Sequence, residues 1–159
     1  MKRASDPIAQ LMQEHNEALS QLKFLNKAVL SFSEHGYTAK QFRQVLASLQ
    51  FIEQEVGEHN TREEEALFPI LERYVEGPTQ LMRSDHKKLK KGFLQLRTAV
   101  DRVDRNRDSF SAIKKMRTIA HDVVQLFVNH IHKENYILFP LVQKFLSKGE
   151  LREVAKKML

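Results

Sequence analysis

The sequence predicts an all-α fold: an up-down-up-down antiparallel four-helix bundle with a short C-terminal helix. Three observations point there. Only five glycines and four prolines punctuate 159 residues. Apolar residues recur at three and four spacing almost throughout, the period of a helix with one buried face. The chain also repeats itself: at an offset of 71 residues Pro7 falls on Pro78, Thr38 on Ser109, and Leu67, Phe68, Pro69 on Leu138, Phe139, Pro140. A duplicated helical hairpin supplies four helices, and short connections force neighbours to run antiparallel.

Each element has its own signal. Asp6 caps a first helix with Pro7 at its first position, and the stripe Ile8, Leu11, Met12, Leu19, Leu22, Leu25 and Val29 continues until Gly36, giving a helix over about 8 to 34. Thr38 with Gln41 forms a capping box for a second helix, whose stripe of Phe42, Val45, Leu49, Ile52, Val56 and Leu67 continues toward Tyr74. Glu76, Gly77 and Pro78 make the next break. A third helix runs from Pro78 to near Arg105 with Leu81, Met82, Leu89, Phe93, Leu96 and Val100 inward, and the polar stretch Asp101 to Asp108 closes it. Ser109 caps a fourth, carrying Ile113, Met116, Ala120, Val123, Phe127, Leu138 and Leu141 to near Lys148 and Gly149. A short amphipathic tail, Leu151 to Leu159, follows. One domain over 1–159 is expected, with the bundle at about 7–147 and the tail at 150–159.

Composition narrows the chemistry. There is no cysteine, so disulfides, thiolate metal sites and thiol nucleophiles are excluded, and any metal is held by imidazole and oxygen. That favours iron, manganese or zinc. Met1 to Gln10 has two basic residues but no apolar run, and no stretch approaches eighteen apolar residues, so the expectation is a cytoplasmic protein with no membrane partner. The formal charge is +6, with basic clusters at Lys87, Lys88, Lys90 and Lys91, at Lys114, Lys115 and Arg117, and at Lys156 and Lys157. Acidic residues are interleaved throughout and no recognition motif is visible, so these read as solvated helix faces with no nucleic acid as partner.

The repeat carries a second message. His15, His59 and Glu63 each reappear 71 residues later as His86, His130 and Glu134. In each half a histidine lies early in one helix and an HxxxE pair lies deep in the next, antiparallel one, so all three sit at comparable height. Four-residue spacing puts each pair on one helix face. Helical spacing places Ile52, Val56, Val123, Phe127, Leu11, Leu89 and Phe93 on those faces, so the six polar residues point into the core. Hydrogen-bonded core histidines would explain one pair, since chance alone yields on the order of half to one HxxxE pair here. Two pairs, each followed by LFP at the same interval and each preceded by a histidine 44 residues upstream, point to a metal pair. A buried polar cluster also needs compensation, and a bound cation supplies it.

From about residue 7 to 146 this pattern resembles the hemerythrin family, in particular the hemerythrin-like HHE cation-binding domains. The resemblance implies two non-haem irons, oxo- or hydroxo-bridged, surrounded by His15 of the first helix, His59 and Glu63 of the second, His86 of the third, and His130 and Glu134 of the fourth, with both glutamates bridging. The LFP segments match the family too, and each proline frees the carbonyl of Glu65 or Tyr136 and bends its helix. Two departures from the family's oxygen carriers bear on function. Lys90 stands where the carriers place a further histidine, and Glu134 lies four residues after His130 where they place an aspartate five after. Reversible oxygen carriage is therefore not what the resemblance implies; about two open positions on the ion pair favour reactivity instead.

Other candidates fare worse. Glu55, one turn before His59, reads as a solvated carboxylate or one supporting the ligands. His35 falls at the far end of the first helix beside Gly36, where a cation suits the helix dipole, and His121 and His132 have no counterpart in the repeat. No histidine has the ExxH neighbour of ferritin-like di-iron bundles, and neither HExxH nor a glycine-rich phosphate loop occurs. The leading expectation is a di-iron protein that binds or processes a small diatomic or peroxide: dioxygen, nitric oxide or peroxide. The alternatives are a non-catalytic iron or oxygen sensor whose fold is coupled to metal binding and whose basic face contacts a protein partner, and a purely structural bundle.

Overall fold

The computed structural model describes residues 6–159. The basic residues Lys2 and Arg3, part of the N-terminal stretch considered above, lie outside them. Helix α1 (Pro7–His35) begins where the Asp6 carboxylate accepts from the Ile8 N–H and ends at Gly36, whose φ of +82° is left-handed backbone that glycine adopts without a Cβ clash. Helix α2 (Ala39–Arg62) is capped by Thr38, which accepts from the Gln41 N–H. The expected capping box is only half formed, because the Gln41 side chain donates to Ser31 on α1 instead.

The helices are interrupted at the LFP segments, as the prolines there imply, and the interruption takes the form of a π turn. A π-helical turn, Glu63–Leu67, separates α2 from the short α3 (Phe68–Leu71), and a second, Glu134–Leu138, separates α5 (Phe110–Lys133) from α6 (Phe139–Phe145). Pro69 and Pro140 cannot donate to the preceding turn, so the backbone widens there: the Phe68 N–H bonds the Glu63 carbonyl and the Phe139 N–H the Glu134 carbonyl, five residues back. Between these halves α4 spans Pro78–Arg105. Ser109 caps α5 by accepting from the Ala112 N–H.

The tail helix α7 spans Lys148–Lys157, three residues earlier than expected, because Ser147 and Glu150 form a reciprocal capping box. All described elements are helical, and among the described residues no helix is long and apolar enough to cross a membrane.

Helix α1 packs on α2 and α5, and α4 on α5 and α2. Two apolar clusters result. One contains Leu22, Val45, Leu49, Leu96, Met116 and Phe127; the other contains Ile8, Leu11, Leu67, Met82, Leu138 and Val154. Fully buried side chains of this size contribute roughly 1.5–3 kcal/mol each. Along every long helix the ligand candidates fall between the clusters: His15 between Leu11 and Ala18, His59 between Val56 and Ala66, His86 between Met82 and Leu89, and His130 between Phe127 and Leu138. A polar layer thus divides an apolar interior. Met12 and Leu81, expected inward, are 41% and 50% exposed. Each neighbours a fully buried residue, Leu11 or Met82, and a 100° step per residue cannot centre both on one face.

Candidate metal centre

The structure brings all six predicted residues together. Each is buried, Glu63 and Glu134 completely. Their ligand atoms form two groups, each with all atoms within 4.8 Å of one another: His15, His59, Glu63 and Glu134 in one, and His86, His130 and Glu134 in the other. Glu134 belongs to both. Its Oε1 lies 2.9 Å from His15 Nε2 and 3.1 Å from His130 Nε2, while its Oε2 lies 3.9 Å from His86 Nε2. Glu63 Oε1 contacts His59 Nε2 and joins only the first group.

The outer nitrogen of every ring is held. His59 Nδ1 donates to Glu14 Oε1 at 3.1 Å and His130 Nδ1 to Asp85 Oδ2 at 3.1 Å; His86 Nδ1 donates to Glu64 Oε1 at 3.0 Å and His15 Nδ1 to Asn135 Oδ1 at 2.9 Å. These oxygens only accept, so each Nδ1 carries the hydrogen and each Nε2 turns its lone pair inward. Arg62 in turn binds Glu14 and Lys133 binds Asp85. Phe139 stacks on His15 and Phe68 on His86, which gives the LFP phenylalanines a place against the ligand rings.

An inward-facing set of lone pairs needs positive charge among them. His15 Nε2 and His59 Nε2 face each other at 3.0 Å. Both oxygens of Glu63, one of Glu134, and the Nε2 atoms of His86 and His130 are buried without a hydrogen-bond partner. An unpaired buried polar atom costs on the order of 1–3 kcal/mol, more when charged. Five of them converging on one layer fit bound cations, and a set of imidazole and carboxylate donors suits iron, manganese or zinc.

The electrostatics agree. Burial, together with the Glu134 charge, raises Glu63 well above the usual carboxylate range. Glu134 faces the same burial, but its close contacts with Glu63, His130, His15 and His59 hold it well below that range. Burial opposes a charged His59, yet the Glu63 charge and the bonds to Glu134 and Glu14 push its pKa well up. His130 is raised against burial by Glu134 and Asp85. Glu14 and Asp85 are lowered despite burial by the histidine and the cation each one bonds.

Sequence reasoning missed the outer layer. The signal was there: the same offset maps Glu14 on Asp85, Arg62 on Lys133 and Glu64 on Asn135. Of the other candidates, Glu55 lines a narrow crevice beside His15 and His59 but joins neither group. His35 is exposed at the end of α1 beside Glu34. His121 is exposed, and His132 is exposed with its ring edge-on to Tyr136.

A bundle layer of four imidazoles and two carboxylates, each ring braced from outside, defines a class of metal-binding helical protein. The model of the hemerythrin HHE cation-binding domain matches residues 6–142 and, in a second match, 77–159, so the chain belongs to that family. The second match begins where the second half of the repeat begins. Among individual proteins, the chain is similar to an iron-sulfur cluster repair protein YtfE from Yersinia pseudotuberculosis serotype IB (strain PB1/+), 25% identical over 137 residues that cover 84% of this chain. Proteins of the same name from Yersinia pestis strains Pestoides F and Angola match at the same 25% identity. The aligned region covers 61% of these relatives, so the chain spans less than two thirds of their length.

Proposed function

We propose that this chain is a non-haem di-iron protein that binds or processes a small oxidant: dioxygen, nitric oxide or peroxide. The observation that carries the reading is the convergence of partnerless, buried Nε2 and carboxylate atoms into two groups that share Glu134. In this reading His15, His59 and Glu63 hold one ion, His86 and His130 hold the other, and Glu134 serves both. Iron bound there supplies a ferrous–ferric redox couple.

The chain's own residues do the rest. The Nδ1 acceptors aim the rings. Leu11, Ile52, Val56, Leu89, Phe93, Val123 and Phe127, all buried, keep bulk water from the layer. On the His15 and His59 side lies a narrow crevice of about 10 Å³, about the space of a single water.

The same reading includes an up-down-up-down bundle, supported by the order in which the long helices cross from one apolar cluster to the other, and a cytoplasmic location. Because the four histidines come one from each long helix, an iron or oxygen sensor whose fold tightens on metal binding is the second reading. The name of the Yersinia relatives favours participation in iron-sulfur cluster repair as a further one, tested by whether the iron-loaded chain restores an enzyme with an oxidised cluster.

Stopped-flow mixing of the ferrous protein with dioxygen, nitric oxide and peroxide in parallel tests the leading proposal. A fast optical change with one of them, abolished by His59→Ala, is expected. Absence of reaction with all three, or iron content near zero after expression in iron-rich medium, overturns it.

A further inference from the structure

The two faces of the duplicated molecule are not equally closed. Helices α1 and α5 pack closely along their length, whereas their counterparts α4 and α2 stand further apart and leave a groove of about 660 Å³. The sequence explains the difference. Gly57 and Asn60 of α2 line the groove, where the repeat places Val128 and Ile131 on α5. Gly57 leaves open space: a Cβ built there meets no atom within 4 Å.

The groove far exceeds what a diatomic needs and falls within the roughly 300–1,000 Å³ typical of small-molecule sites. Val56, Phe93 and Leu94 give it an apolar wall, and Leu94 is 64% exposed there. Arg97 is paired with Glu53, while Glu64 hydrogen-bonds the His86 ring and keeps its negative charge, so Lys87 and Lys90 leave the lining with one net positive charge. Lys87 and Lys90, one helical turn apart on α4, make no ion pair among the described residues. His86 also lines the groove.

We propose that this groove binds a small amphipathic organic anion, of the class of a medium-chain carboxylate, with its charge on Lys87 and Lys90 and its apolar body along Val56, Phe93 and Leu94. An apolar wall beside two ammonium groups suits a ligand that joins an anionic head to an apolar body. Apart from His86 the groove is built from side chains outside the metal-ligand set, so the proposal stands or falls independently of the iron reading.

Calorimetric titration of the full chain with decanoate, decanol and inorganic phosphate, all below micellar concentration, tests it. Saturable decanoate binding at one site per chain is expected, with decanol weaker by at least about tenfold and phosphate not saturating. The charge reversals Lys87→Glu with Lys90→Glu, and separately Gly57→Leu, should each weaken decanoate by at least about tenfold while helicity stays unchanged. Lys114→Glu with Lys115→Glu, elsewhere on the surface, should leave it intact. Equal binding of decanoate and decanol, unsaturable binding, or an unchanged affinity in either groove variant overturns the proposal. Dimerisation blocked by the groove variants in the absence of decanoate binding would overturn it too, in favour of a second copy of the chain.

Discussion

A histidine binds metal through one nitrogen only as well as its other nitrogen is held, and here that support is as ordered as the ligands. Glu14 and Asp85 immediately precede His15 and His86 in sequence, yet each braces the ring of the neighbouring helix, His59 or His130. Each half therefore locks its two helices together through the residue beside its own ligand. Glu14→Ala or Asp85→Ala should weaken metal binding by about 10- to 100-fold, measured by chelator competition, while Glu58→Ala on the exposed face of α2 should not. The pattern breaks at one place: His86 is braced by a carboxylate, Glu64, and His15 by an amide, Asn135. A carboxylate makes the imidazole it holds more basic, so the two halves present unequal imidazoles despite their matching sequence pattern. The six inward residues were legible because spacing and residue type coincide. The braces were less so, since Glu14 and Glu64 look like any solvated glutamate until the repeat is applied to them.

At the scale of elements, the proline segments and the tail show what local pattern does and does not settle. Helix starts followed from Asp6, Thr38 and Ser109, whose side chains cap as their types require. The prolines signalled a disturbance but not its form. A missing donor can kink a helix or widen it, and the choice of a π turn is made by packing, which seats Phe68 and Phe139 on the ligand rings. The tail helix was placed too late because Ser147 and Glu150 were not read as a cap. Glu150 also accepts from the Tyr74 hydroxyl at 2.5 Å and pairs with Arg73, tying α7 to the end of the first hairpin. Its bonds to the Ser147 backbone and to Tyr74 lower its pKa. A lowered folded value means that the stabilisation is fully present above the unfolded pKa of about 4.3 and is lost as pH falls through the folded value. Amide protection in α7, taken relative to the intrinsic exchange rate at each pH, should therefore be high near neutral pH and fall in acid before that of α1 to α5, and Glu150→Gln should remove most of this pH dependence.

For the whole molecule, one polar layer lies between two apolar clusters, and it joins all four long helices. Without positive charge that layer works against the fold, through Nε2 and carboxylate atoms buried in mutual contact. A ligand that binds only the folded chain adds stability that grows with its concentration over Kd, about 2.7 kcal/mol at 100 Kd. Removing metal with a chelator should thus lower Tm, and restoring iron should recover it. Leu49→Ala, remote from the layer in the larger apolar cluster, should cost roughly 2–5 kcal/mol with or without metal. The duplicated architecture was readable because the two halves kept register over most of the chain. The open α2/α4 face was not, because it depends on Gly57 and Asn60 lacking bulk that only the packed structure reveals. The central claim is a pair of ions sharing Glu134, and native mass spectrometry of the iron-loaded chain tests it most directly. Two irons on the folded wild-type chain, and loss of both in Glu134→Ala, are the expected result; a single iron, none, or two irons retained in Glu134→Ala would contradict it.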